Sequence, residues 1–153
     1  MSGMGGYSRP CHSRARSATL PGMTDQPPTV PPGLRVELSR HRVVPGQSAT
    51  VDEWMRMLND RADECRAVLD PERMAVEAVF RLTDEHGEWL YWFEIVGEGG
   101  SGLRADAPVD RDHIAYAERA KVPGHETATT ELLLLPEPVE RAVRAWAERG
   151  SGA

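Results

Sequence analysis

Between Leu34 and Gly150 the apolar positions change period several times, and each change marks a predicted element. Leu34, Val36 and Leu38 alternate with Arg35, Glu37 and Ser39, the period-two pattern of a strand running to about Val44. Pro45-Gly46 breaks it. Val51, Trp54, Met55, Leu58, Ala62, Cys65 and Leu69 then recur at three- and four-residue steps, which predicts one amphipathic helix. Thr50 and Glu53 fit a capping box, with a start one turn earlier near Ser48 as the alternative. Pro71 ends this helix, because proline disfavours helical geometry in the residue before it. Residues 75–82 predict a second strand, Asp84-Glu-His-Gly87 a tight turn and residues 88–96 a third strand. A glycine-rich loop opens at 97–102, Asp110 or Asp112 caps a second helix to about Lys121, and Pro123-Gly124 stops it. Residues 127–135 predict the fourth strand, and Pro138 starts a last helix with Val139, Ala142, Val143 and Trp146 on one face.

The third strand carries the most information. Trp89, Tyr91, Phe93 and Ile95 share one of its faces; Leu90, Trp92, Glu94 and Val96 share the other. A sheet with one face in water would place polar residues at every second position, so both faces of this strand must be covered. The domain's own helices are expected on one side and a second subunit on the other. The order β-α-β-β-α-β with an added C-terminal helix is that of the split βαβ, or ferredoxin-like, α+β fold, with a four-stranded antiparallel sheet. Two such sheets facing each other across a two-fold axis would make a homodimer.

Residues 1–33 follow no period and are rich in Gly, Ser and Pro. They predict a disordered N-terminal extension, or a misassigned start with Met23 as the true first residue, ahead of one domain over 34–150. Arg9, Arg14 and Arg16 lie in this tail, but it has no apolar core of a secretory signal. The whole chain of 153 residues has a formal charge of −6. Fifteen basic and twenty-three acidic residues remain from Leu34 onward, a formal charge of −8. Such a balance offers no attraction to nucleic acid or to an anionic membrane surface, and the longest purely apolar run is only the five residues Trp89 to Phe93. Cys11 and Cys65 are far apart in sequence and read as free thiols in a reducing cytoplasm.

Val-Glu-Leu-Ser-Arg-His-Arg-Val-Val-Pro-Gly at 36–46, Trp54-Met55, Leu-Tyr-Trp-Phe at 90–93, Gly-Glu-Gly-Gly at 97–100 and His113 with Tyr116 resemble an uncharacterised bacterial family, the domain of unknown function 6176. The resemblance covers roughly residues 34–140. It implies a dimeric α+β barrel, a superfamily that includes sugar mutarotases, cofactor-free quinol-type monooxygenases, haem-degrading enzymes and stress-response proteins without assigned chemistry. The fold therefore does not choose a function. The mutarotases' catalytic histidine on the first helix has no counterpart, since residues 51–69 contain no histidine.

Four residues are candidate catalytic groups. His113 and Tyr116, three apart on the second predicted helix, suit an acid/base pair; the structural alternative is a helix-terminal histidine and a half-buried core tyrosine. Glu77 and Glu94 face each other on adjacent strands if the turn keeps even register, and so close a pair would raise one carboxyl pKa. A one-residue slip would separate them, and an arginine such as Arg81 would neutralise them. Trp92, Arg81, Trp54 and Tyr91 are candidate ligand-binding residues, with core packing the alternative for the aromatics. Residues 97–102 lack the Gly-Lys-Ser/Thr ending of a phosphate cradle, and His41, His86 and His113 show no metal-ligand spacing. The expectation is a cytoplasmic homodimer with a small-molecule cleft, no metal, no cofactor, and either proton-transfer chemistry or a non-catalytic interaction role.

Overall fold

In the computed structural model, which describes residues 26–149, the turn at Glu85-His86 sets the register of the whole sheet. Asp84 accepts hydrogen bonds from the His86 backbone N–H (2.8 Å) and from Trp89 Nε1 (3.2 Å), and Gly87 follows at φ +128°, a backbone state that favours glycine. The two strands it joins, β2 (Met74–Asp84) and β3 (Gly87–Gly97), pair antiparallel with Glu77 opposite Glu94 and Val79 opposite Trp92. Strand β1 (Leu34–Arg42) pairs with the other edge of β3, and a short strand β4 (Glu126–Thr127) pairs with β1. The four-stranded antiparallel sheet has the order β2-β3-β1-β4. Helices α1 (Ser48–Asp60), α2 (Ala62–Leu69), α3 (Pro108–Ala120) and α4 (Glu137–Glu148) complete an α+β architecture.

One core forms where α1 and α3 cover the Leu90/Trp92 face of β3. Val51, Trp54 and Leu90 have no exposed surface and pack with Val43, Trp92 and Ala120. The face carrying Trp92 and Glu94, which the sequence left open to a partner chain, thus lies toward the chain's own helices. A second core forms on the opposite face from Leu34, Val36, Ile95, Val30 and Ala147, with Phe93, Val143 and Trp146 packed against it. Helix α4 is therefore a cover for its own sheet rather than a docking arm. Arg73 holds it there: the guanidinium lies 4.0 Å from the Trp146 ring centroid and donates to the carbonyls of Trp146 (2.9 Å) and Ala147 (3.1 Å). Arg73 itself sits at φ 55°, a left-handed backbone that costs a non-glycine residue on the order of 1 kcal/mol or more. Beyond α4's reach the same face leaves Phe80 59% and Leu82 53% exposed.

Several boundaries differ from expectation. The predicted long helix is two helices, broken at Arg61, whose φ −107° and ψ 29° lie outside the helical range. Arg61 binds Glu64 and Asp112 (2.6 Å each) from this corner. The capping box of Thr50 and Glu53 does not form, because α1 starts at Ser48; Thr50 instead donates to the Gln47 side chain at 2.6 Å. Neither Asp110 nor Asp112 caps α3, which begins after Ala107 with Pro108 in its first turn. The fourth strand is two residues long rather than nine. After the Ala128 N–H bonds the Leu38 carbonyl (2.8 Å), it is the Thr130 hydroxyl, not a backbone N–H, that reaches the Val36 carbonyl (3.0 Å), so the ladder stops. Residues 26–33 lie against the sheet: Gln26 Oε1 accepts from the Val36 N–H (3.1 Å) and Val30 is buried. The rest of the expected N-terminal extension, with Met23 and Cys11, lies outside the described residues. No helix among the described residues is long and apolar enough to cross a membrane.

Trp54 is the largest side chain with no exposed surface. Trp54→Ala is expected to lower unfolding free energy by about 3–5 kcal/mol, because it leaves a cavity that the flanking helices and sheet cannot fill. Urea denaturation of the two proteins measures the difference; a loss below about 1 kcal/mol would contradict the central role given to this core.

Candidate functional site

Alternation along three paired strands places Glu37, Glu94 and Glu77 in one row across the sheet, because Glu94 is opposite Glu37 on β1 and opposite Glu77 on β2. Ser39 and His41 continue the same face of β1. The end of α3 is tied to the end of β1 by backbone bonds from Val44 to Ala120 and from Val122 to Arg42, both 2.8 Å. That tie brings Lys121 Nζ to 5.4 Å from the Trp92 ring centroid and lays His125 beside His41, ring centroids 5.1 Å apart. From within α3, His113 meets the edges of Trp54 (5.1 Å) and Trp92 (5.8 Å).

Two adjoining cavities result. The first, about 560 Å³, is polar and is lined by Glu37, Glu94, His41, Lys121, Trp92 and His125, among others. The second, about 550 Å³, runs between α1, α2, α3 and β2 and is mostly apolar. Glu72, Glu77, Leu103 and His113 line both. Each volume suits a small organic ligand. The segment carrying Glu72 is pinned to the glycine-rich loop: the Ser101 N–H donates to the Pro71 carbonyl (3.1 Å) and the Gly97 N–H to the Arg73 carbonyl (2.7 Å). Only glycine fits at residue 100, since a Cβ there would collide with the Glu72 carbonyl. The glycine-rich loop is thus, at this point, a strap that holds the Glu72 segment.

Burial and charge reorder the titrations. Glu72 is pushed up to about 7, first by desolvation and then by the neighbouring Asp110 and Glu77 carboxyls. Glu94 is raised by desolvation and by Glu37 and Glu77, against the pull of Arg35 and Lys121. His113 is held down to about 4 by desolvation, with Lys121 adding to the effect and Asp110 opposing it. His41 falls to about 4 through desolvation, Lys121 and His125. Desolvation also lowers Lys121, while Glu94 opposes that shift. The site thus combines a carboxyl raised to about 7, Glu72, with two imidazoles, His41 and His113, held down to about 4.

Of the residues singled out from sequence, His113, Glu77, Glu94 and Trp92 come together in this cleft. Trp92 Nε1 donates to Glu77 at 2.8 Å. Trp54 stands behind Trp92, fully buried, with ring centroids 5.4 Å apart. Tyr116 packs into the first core, with the Arg119 guanidinium 4.6 Å from its ring centroid, and does not line the cleft beside His113. Arg81 pairs with Asp52 and Glu88, both at 2.5 Å, and so does not neutralise the Glu77/Glu94 pair. Tyr91 lies on the opposite face, in a shallow depression of about 230 Å³ with Leu38 and Arg40. His41, Lys121, His125 and Glu72 were not identified from sequence. For His41 the signal was present, as Glu37, Ser39 and His41 recur at every second residue; Glu72, just after a helix-ending proline, gives none. Among the described residues no group of three or more His, Cys, Asp or Glu is arranged to hold a metal ion.

Residues 34–141 match the model of a family described as a family of unknown function, DUF6176, and the chain belongs to that family. No curated protein matches the chain.

The shifts of His113 and Glu72 act oppositely on stability. A histidine lowered from 6.5 to about 4 contributes stability that is present above pH 6.5 and lost as pH falls toward 4. A glutamate raised from 4.5 to about 7 contributes stability that is present below pH 4.5 and lost as pH rises through 7. Chemical denaturation across this range should therefore show a flatter acid limb for His113→Asn and a flatter limb toward neutrality for Glu72→Gln. Parallel pH profiles for wild type and both variants would contradict these assignments.

Proposed function

We propose that this chain is an enzyme that moves a proton on a small molecule held beside Trp92, without a cofactor. The observation that carries this reading is the opposed pKa shifts in one cleft: Glu72 is pushed up to about 7 and Glu94 is raised, while His41 and His113 are held down to about 4. Groups whose environments push their pKa values in opposite directions are the usual mark of acid and base roles. In the simplest balanced step, one carboxylate of the Glu77/Glu94 pair takes a proton from the substrate. The protonated partner returns one to another atom of the same molecule, and no electrons are exchanged. That is an isomerase- or mutarotase-like step. A monooxygenase-like step on an aromatic substrate would in addition consume dioxygen, with the substrate supplying electrons. The neutral His113 imidazole orients the reacting group, and Trp92 packs the ligand. Tyr116 has no part in this scheme, because it packs in the core.

The element order and the strand order β2-β3-β1-β4 support reading the fold as ferredoxin-like, the split βαβ arrangement. We further read the protein as a bacterial, cytoplasmic one, a reading supported by the two widely spaced cysteines and the family resemblance. A second reading, a non-catalytic module that dimerises through its sheet, is favoured by one observation. Phe80 and Leu82 are more than half exposed on the sheet face that α4 leaves uncovered. In a dimeric α+β barrel that face would meet its copy.

Two outcomes are expected. In metal-free buffer, nuclear magnetic resonance exchange spectroscopy on a panel of monosaccharides and hydroxyketones should find a compound whose anomer or α-proton exchange the protein accelerates. Glu94→Gln should then reduce the acceleration by about 100-fold, the scale of a lost general acid or base. A bound compound whose exchange rate is unchanged, or an unaffected Glu94→Gln, would overturn the catalytic reading. For the dimer, sedimentation should give twice the chain mass for wild type and the chain mass for Phe80→Asp; a monomeric wild type would remove the second reading.

A further inference from the structure

The apolar cavity has a use the proton-transfer scheme does not require. Met55, Leu58, Leu69, Val79 and Val109 form much of its wall. Into this wall are set two carboxyls, Glu72 and Asp110, only 8% and 3% exposed. Glu72 Oε1 is buried with no hydrogen-bond partner. Asp110 Oδ2 accepts one bond, from the Arg104 backbone N–H at 2.9 Å. Buried carboxylates ordinarily face a cation, because desolvation is costly without one. The nearby cations hydrogen-bond elsewhere, and the Arg104 guanidinium keeps only a weaker, longer-range attraction to Asp110. Arg61 binds Glu64 and Asp112, Arg66 binds Asp63, and the Arg104 guanidinium binds Asp106. Arg73 is turned onto Trp146, and Lys121 interacts with Glu94. The other titratable groups facing Glu72 are Glu77 from β2 and Glu94 from β3; Cys65 from α2 and His113 from α3 share the cavity wall. None of these supplies a positive charge near neutrality. Glu72 instead lacks a counter-charge and is pushed up to about 7, first by desolvation and then by the Asp110 and Glu77 carboxyls.

We propose that this cavity binds a small amine with an apolar tail, its ammonium group between Glu72 and Asp110 and its hydrocarbon along Leu58, Leu69 and Val109. An ammonium brings the charge the two carboxyls lack and up to three N–H donors for their oxygens. The apolar wall accounts for the tail, and a bare metal ion would find too few ligands among the described residues. Binding expels the proton that Glu72 holds: the protonated Glu72 carboxyl plus alkylammonium gives the ion-paired complex plus a proton released to solvent, in proportion to the fraction of Glu72 that carried it. This inference concerns binding alone and does not depend on the proton-transfer reading.

Isothermal titration calorimetry of the full chain with hexylamine near neutral pH, in two buffers of different ionisation enthalpy, tests it. Hexan-1-ol and hexanoate serve as probes of the same tail without the charge and with the opposite charge. Hexylamine is expected to bind saturably with net proton release, and hexan-1-ol and hexanoate at least about tenfold more weakly. Glu72→Gln, or Asp110→Asn if the first variant fails to fold, should weaken hexylamine by about tenfold or more and abolish the release, while leaving hexan-1-ol unchanged. Equal binding of the alcohol, binding without proton release, or no binding of hexylamine by the folded wild type would overturn the proposal. An absence of amine binding alongside proton exchange that still depends on Glu94 would remove this inference and leave the proposed reaction standing.

Discussion

The central strand β3 must be buried on both faces, and most of the molecule is an answer to that constraint. Leu90 and Trp92 draw α1 and α3 onto one side; Phe93 and Ile95 draw α4 and Val30 onto the other. Aromatic and branched side chains supply the area: fully burying one contributes roughly 1.5–3 kcal/mol. Neither cover is complete. Toward one end of the first face the helices part and leave the polar cleft, and beyond α4 the second face leaves Phe80 and Leu82 in solvent. Both candidate functional surfaces thus lie where the covering of one strand stops.

The cleft's chemistry follows from what the covers withdraw from water. A row of three glutamates on an open sheet would ionise at ordinary values. Here the same row stands beside buried aromatics, and desolvation is the leading cause of the shifts at Glu94, Glu72, His113 and His41. The direction is opposite for acids and bases because burial disfavours whichever form is charged. The raised pKa values of Glu72 and Glu94 and the lowered values of His113 and His41 are therefore two results of one physical cause. Arg73 serves the arrangement indirectly, since the residue that fastens α4 also carries its neighbour Glu72 into the floor of both cavities.

The element order was legible from the chain because alternation and helical spacing are local properties. The Glu77/Glu94 pairing was legible only on the condition of even register through the turn, and the structure supplies that register. The errors share a cause. Period three-to-four continues unbroken through Arg61, so nothing local announces the kink that long-range bonds to Asp112 accompany. Residues 127–135 have strand composition, yet a ladder needs a partner edge to follow, and β1 offers it only near Ser39 and Arg40. Tyr116 and His113 are helical neighbours, but three residues of rotation put one in the core and the other over Trp92.

By itself the sequence determined the α+β class, the antiparallel hairpin, and the demand for cover on both sides of the third strand. These depend on spacing along the chain, which folding does not alter. Only the tertiary structure decided what provides the cover, which imidazoles and carboxyls share a cavity, and which charges are left without a partner. Those depend on distances between elements far apart in sequence, and on the water each element excludes when it packs.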